Sequence, residues 1–206
     1  YIGEDRQLGF AGAVNRGVEE AKNPLVAVIC NDVLVEKDWL RALLEAYALD
    51  RSQGASPVLF SAVEKLESAD RARMNFWFRV VWPEGADPTE DYFFPDGSAF
   101  LFDRSTFGLP FDSDYFLYQE DVYLGWRAHL RGESVKLVRE SRATNTDGGT
   151  TRRTPYRTAF LTERNRWLNY FLFLSLGSLV RAAPLLILDA LIKLTIGNNR
   201  LAKLHA

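Results

Sequence analysis

Asp32 stands, after Asn31, where the apolar run VAVIC at 26–30 gives out. A strand that is apolar on both faces belongs at the centre of a parallel sheet, and the carboxyl ends of such strands are where open α/β sheets bind ligands. A carboxylate there can hold a hard divalent cation, which keeps several waters and draws its other ligands from phosphate oxygens. The same Asn-Asp pair can instead close a turn ahead of the helix that starts near Asp38. A second acidic pair, Glu120-Asp121, opens a helix directly after the aromatic residues Tyr115, Phe116 and Tyr118. Acids in a first helical turn are favoured by the dipole, whereas a carboxylate set against an apolar wall is suited to general-base work. A third stretch, QLGFAGAVNRG at 7–17, joins small residues to a helix start, so backbone N–H groups can approach an anion. It is neither a Walker A loop nor a G-x-G-x-x-G fingerprint, and tight helix packing uses the same residues.

The elements that must position these groups alternate. Phe10, Val14, Val18 and Ala21 predict a helix over Gly9–Lys22, followed by a strand at 25–30. Trp39, Leu40, Leu43, Leu44 and Tyr47 predict the next helix, and PVLFSAV at 57–63 a strand. Residues 64–96 are less regular, with WPEGADP as turn chemistry. Strands at 98–103 and 134–139 flank a helix over Asp121–Leu130 that Gly132 closes, and ATNTDGGTTRRT at 143–154 is a Gly/Thr-rich loop. The pattern is that of one α/β domain, residues 1–151, followed by a helical region, 152–206.

With 206 residues, 47% hydrophobic and 13% aromatic, the chain can bury one sizeable core. Its one cysteine, Cys30, excludes an intramolecular disulfide and a Cys-based zinc site, so the chemistry falls to carboxylates and basic residues. The net charge of −2 hides an asymmetry: from Arg152 onward nine Lys or Arg face only Glu163 and Asp189, a balance of +7, which leaves −9 on residues 1–151. An acidic first half offers no basic stripe for nucleic acid. The basic part is also the most apolar. Only 14 residues separate Arg166 from Arg181, short of the roughly 20 that a bilayer core requires. Basic flanks, Trp167, Tyr170 and a broad Leu/Ile/Phe face suit the membrane interface, over residues 167–197. The other reading is a pair of helices, broken at Pro184, packed in a core or against a partner.

Taken in order, QLGFAGAVNRGVEEA (7–21), VAVICNDVLVEKDWL (26–40), DGSAFLFDRSTF (96–107), PFDSDYFLYQEDVYLGWRAHLRG (110–132), GGTT (148–151) and ERNR (163–166) resemble the family 2 glycosyltransferases of the GT-A fold, in their bacterial rhamnosyltransferase-like branch. The resemblance runs from about residue 5 to 170. It implies a Rossmann-like mixed sheet with flanking helices. It also implies transfer of a sugar, with inversion, from a nucleotide-diphosphate sugar to a hydroxyl of a saccharide or lipid-linked acceptor in cell-surface polysaccharide or glycolipid synthesis. The expected location is cytoplasmic, peripheral on the inner face of the cell membrane.

Residue by residue, the resemblance implies Asp32 as ligand of Mg²⁺ or Mn²⁺, Asp121 as the base that deprotonates the acceptor, and Glu120 as its neighbour. Gly9, Gly12, Asn15 and Asn31 would face the donor nucleotide, and Asp96, Gly97 and Ser98 would line the donor-sugar or acceptor site. Arg153 and Arg164 would offset charge on the leaving diphosphate. The chain departs from the family at Cys30, which replaces the first acid or Asn of the metal motif, and near Asn145 or Thr146, where related enzymes place a His. Tyr123 replaces the last acid of E-D-V-D and reads as a support position. The family's opening strand has no counterpart ahead of Tyr1, so the expectation is an N-terminally truncated fragment. Two alternatives stand beside this reading: a nucleotidyltransferase on a similar sheet, and a non-catalytic membrane-associated protein built on a degenerate transferase domain.

Overall fold

Ala11, Asn15 and Val18 recur at the spacing of one helical face, and all three are buried in the first helix, α1 (Gly9–Glu20). The computed structural model describes residues 2–64, 73–74, 80–81, 92–145 and 154–196. After α1 come β1 (Leu25–Ile29), β2 (Val33–Val35), α2 (Trp39–Ser52), β3 (Val58–Glu64) and the short pair β4 (Arg73–Met74) and β5 (Val80–Val81). β6 (Ala99–Asp103), α3 (Arg104–Phe107), a 3₁₀ turn (Ser113–Tyr115), α4 (Glu120–Leu130) and β7 (Val135–Asn145) complete the α/β part. Two helices follow, here α5 (Pro155–Phe173) and α6 (Leu176–Ile196). WPEGADP, most of the Gly/Thr-rich loop and Arg153 lie outside the described residues.

The main sheet has the order β1-β6-β3-β7-β2, with β3 and β7 parallel and the other neighbours antiparallel. This is the mixed sheet with flanking helices that the resemblance implied. β6 carries the core. All five of its residues are buried, and their alternation divides them between two layers. Phe100 and Phe102 join Ala11, Val18, Tyr115, Leu124 and Ala128, from α1, the 3₁₀ turn and α4. Ala99 and Leu101 join Trp39, Leu43 and Tyr47 of α2 on the other side. Burying each such large apolar side chain contributes about 1.5–3 kcal/mol, so both helix layers are tied to this one strand.

Two expectations change. The run at 26–35 is not a central parallel strand. Among the described residues β1 pairs only with antiparallel β6, at the sheet's edge, and Ala27 and Ile29 are exposed. Its second half, β2, crosses to the opposite edge and pairs with β7. Composition reports that a segment can be buried, but the neighbours it takes are long-range choices. The second change is at Pro184, which lies inside α6, while the helical break falls at Leu174 and Ser175. There Ser175 Oγ accepts from Ser178 N–H at 3.2 Å and its carbonyl accepts from Leu179 N–H at 2.9 Å, giving α6 a capped start. Helix α6 continues through its proline because Ala182 and Leu186, on either side, pack on Tyr170 and Trp167 of α5. The mostly buried Arg166 also joins Glu163 of α5 to Asp189 of α6.

Candidate active site

The carboxyl end of β1 and the amino end of β6 lie side by side, since Ile29 pairs with Ala99. The residues that follow one and precede the other therefore meet. Cys30 N–H donates to Ser98 O at 2.8 Å, and Cys30 Sγ lies 3.7 Å from Gly97 O. Asn31 and the half-buried Asp32 follow in a turn closed by Val33 N–H donating to Cys30 O at 3.1 Å. On the other segment the Asp96 carboxylate accepts from Ser98 N–H at 2.8 Å, an Asx turn that shapes the approach to β6.

Gly97 is the meeting point. A Cβ placed on it would lie 3.7 Å from Asp121 Cβ and 3.9 Å from Phe10 Cε1. The Asp32 turn, the Asp96–Ser98 loop, the start of α4 and the start of α1 thus converge at one end of the sheet. Gly125, one turn into α4, makes the approach possible: a Cβ there would stand 2.2 Å from Phe93 O and 2.9 Å from Phe94 Cα. Phe93 is held further by stacking on His129 and edge-on to Trp126.

The two acids at the start of α4 have different surroundings. Asp121 is half-buried, and its Oδ1 accepts from Val122 N–H at 2.7 Å. Glu120 is 7% exposed, and its Oε2 has no hydrogen-bond partner among the described residues. Burial, and then the neighbouring Asp121, push the Glu120 carboxyl up to about 8. Both causes favour the protonated form of Glu120 at neutral pH. The N-cap residue of this helix, Gln119, is left-handed (φ 67°) and supplies no side-chain cap.

Other residues singled out from the sequence have structural tasks. Asn15, expected to face a ligand, is 5% exposed; its amide donates to Phe111 O at 2.8 Å and accepts from Phe111 N–H at 3.2 Å. That exchange ties α1 to the segment before the 3₁₀ turn and leaves the amide engaged. Gly9 has φ +70°, and a Cβ there would be 2.3 Å from Phe116 O, so its lack of a side chain admits the Phe116 carbonyl. Gly12 is buried, and a Cβ there would lie 3.0 Å from Leu8 Cβ. The Arg164 guanidinium, expected at a diphosphate, donates to Asp114 O at 2.6 Å and Tyr115 O at 3.1 Å. Tyr123 packs on Tyr115 and Phe173, as a support position should.

Among the described residues no group of three or more His, Cys, Asp or Glu side chains could hold a metal ion. Asp32 fits a hard cation only as one shared with a ligand's oxygens and water, a donor set of the kind Mg²⁺ accepts.

Asn165, inside the ERNR segment but given no role from sequence, and Asn169, outside every quoted segment, are site-related residues too. They are 0% and 2% exposed on α5 and donate to backbone carbonyls of the segment leading into Glu120. The four-residue spacing of two asparagines in a helix otherwise rich in Leu, Phe and Tyr was the available signal.

Residues 1–108, just over half of the chain, match the family model described as glycosyl transferase family 2. The matched span contains Asp32 and Asp96–Ser98, and Asp121 lies beyond it. No curated protein matches the chain.

Proposed function

The chain belongs to glycosyl transferase family 2, and from that premise we propose that it transfers a sugar with inversion from a nucleotide-diphosphate donor to an acceptor hydroxyl. The observation that carries this reading is the convergence on Gly97, where the Asp121 side chain and the turn bearing Asp32 lean on one glycine. A base and a diphosphate-side carboxylate at one end of a sheet match the needs of a direct displacement. Asp121 takes the acceptor proton, and the freed oxygen forms its bond to the anomeric carbon. The bond from that carbon to the diphosphate oxygen breaks on the opposite side, and its electron pair leaves with the nucleoside diphosphate. Asp32, with Asn31 beside it, is the residue that would hold a divalent cation, which when bound offsets the negative charge of the diphosphate. The Asp96–Ser98 loop lines the sugar or acceptor side, and a rigid loop there contributes by orientation. Arg153 remains a candidate for the leaving diphosphate. The rhamnosyltransferase-like specificity and the role in cell-surface polysaccharide or glycolipid synthesis belong to the same reading.

The test is incubation of the full protein with a panel of nucleotide sugars, simple saccharide acceptors and Mn²⁺, with detection of released nucleoside diphosphate. Turnover of any donor supports the reading. Release of pyrophosphate would point to nucleotidyl transfer, and no turnover across the panel would count against an enzyme.

Residues 1–151 form the catalytic domain in this reading, and 152–206 a basic, apolar helical region at the inner face of the cell membrane. No helix among the described residues is long and apolar enough to cross a membrane. Phe171, Leu172, Leu176 and Val180 are all more than half exposed around the α5–α6 turn, with Leu176 at 77% and Arg181 exposed next to them. An apolar knuckle with a cation at its edge suits shallow insertion among anionic headgroups. The protein should float with phosphatidylglycerol vesicles, less so at high salt, and a Leu176→Glu/Val180→Glu double variant should remain in the bottom fraction. Unchanged flotation of that variant would refute the membrane assignment.

A further inference from the structure

Three residues just before the acidic pair have a backbone conformation that their own side chains do not explain. Phe116, Tyr118 and Gln119 have φ of 61°, 72° and 67°, and none is glycine, Asn or Asp. Left-handed conformations of this kind are unfavourable for L side chains and persist only where the surroundings impose them.

The surroundings are one face of α5. The Asn165 amide nitrogen donates to Tyr115 O at 2.8 Å, Leu117 O at 2.9 Å and Tyr118 O at 2.7 Å, sharing its two protons among three carbonyls. Four residues later, Asn169 accepts from the Tyr115 hydroxyl at 2.8 Å and donates to Gln119 O at 3.3 Å. Arg164 binds the Asp114 and Tyr115 carbonyls and also donates to Asn165 Oδ1 at 2.9 Å. The Arg157 guanidinium lies 4.7 Å over the Phe116 ring. From the opposite side, Ala11 N–H donates to Phe116 O at 3.2 Å. Tyr115 O and Gln119 O also accept from Leu117 N–H at 2.6 Å and Tyr123 N–H at 3.0 Å, while α5 supplies the side-chain donors to Leu117 O and Tyr118 O.

We propose that Asn165, seconded by Asn169, is a positioning residue for sugar transfer: it holds the Tyr115–Gln119 backbone in its left-handed path and thereby places the Asp121 carboxylate. This rests on the reading of Asp121 as the acceptor's base. The loop enters α4 with no side-chain cap of its own, so the register of the first turn, and with it the direction of Asp121 relative to Gly97, is set from α5. Displacing a reacting group by about 1 Å can lower a rate about 100-fold.

The experiment uses the full chain. Asn165→Ala should lower kcat about 100-fold with little change in donor KM, and amide exchange should accelerate over residues 117–121 while β3 and β6 keep their protection. In an Asp121→Asn background the same substitution should have little further effect, because a residue that acts through Asp121 has nothing left to position. An equal loss in both backgrounds, a rise in KM alone, or unchanged exchange over 117–121 would overturn the proposal. If Asn165→Ala does not fold, Tyr115→Phe decides: it removes only the hydroxyl that orients Asn169. It should produce a smaller kcat loss with the same local exchange, and wild-type kcat and exchange there would overturn the proposal. Should the unmodified protein turn over no nucleotide sugar, the transfer reading fails on its own, and the exchange measurement alone judges the clamp.

Discussion

Asp121→Asn is expected to lower nucleoside diphosphate release by about 10²–10⁴-fold, the usual contribution of a positioned general base. The substitution keeps the shape of the side chain, and an asparagine oxygen can still accept from Val122 N–H as Oδ1 does at 2.7 Å. Folding and donor binding should therefore survive, and the loss should appear in kcat. What disappears is the ability to take a proton. Glu120 is poorly placed to substitute for it: its carboxyl is buried, and burial, the largest cause that favours its protonated form, persists in the variant. Steady-state assay of the variant at pH 7 with a fixed donor checks this. Activity within a few-fold of the unmodified protein would place the base elsewhere.

Glu120→Gln should change how stability depends on pH. The folded-state pKa of Glu120, about 8, is above the ordinary 4.5. Below the ordinary value both folded and unfolded chains hold the proton, and the contribution is fully present. Between the two values the unfolded chain releases its proton while the folded one keeps it, so stability falls as pH rises. Above about 8 the loss is complete and the folded protein carries a buried charge beside Asp121. At about 1.4 kcal/mol per pKa unit the loss is on the order of 3–5 kcal/mol. A glutamine cannot ionise, so the difference in unfolding free energy between variant and unmodified protein should grow in the variant's favour from pH 5 to pH 8. Urea unfolding at pH 5, 6.5 and 8 measures it. Parallel curves would show that the Glu120 carboxyl is not the group responsible. The same substitution tests the division of labour: a neutral Gln beside Asp121 imitates the protonated Glu120, so transfer near pH 7 should be largely retained.

Much of the site was legible in the chain itself. Asn31-Asp32 after an apolar run and Glu120-Asp121 after aromatics are local signals, carried by residue type and order, and each proved to lie at the end of an element. The helices over 9–20 and 39–52 follow from apolar spacing, which depends only on the pitch of a helix. The resemblance to family 2 came from the ordered set of short motifs, and the match over residues 1–108 agrees with it.

What was not legible is what pairs across distance. An apolar strand at a sheet's edge and one at its centre have the same composition, so β1 looked central and β2 was read as its continuation. Gly9, Gly12 and Asn15 looked like ligand contacts because small and amide residues serve close approach of any kind; here the partners are Phe116, Leu8 and Phe111. Arg164 looked like a phosphate ligand, since a cation is read from sequence without its acceptors.

The sequence by itself determined which residue types are available for chemistry, one Asp at a strand end and an acidic pair at a helix start, because these depend on neighbours along the chain. Only the tertiary structure decided that they meet at Gly97, that Glu120 is the buried, protonated member, and that a left-handed path through Phe116, Tyr118 and Gln119 leads into them. The last has the plainest physical reason. No local preference of Phe, Tyr or Gln favours that path, and the donors that stabilise it lie about fifty residues away on α5.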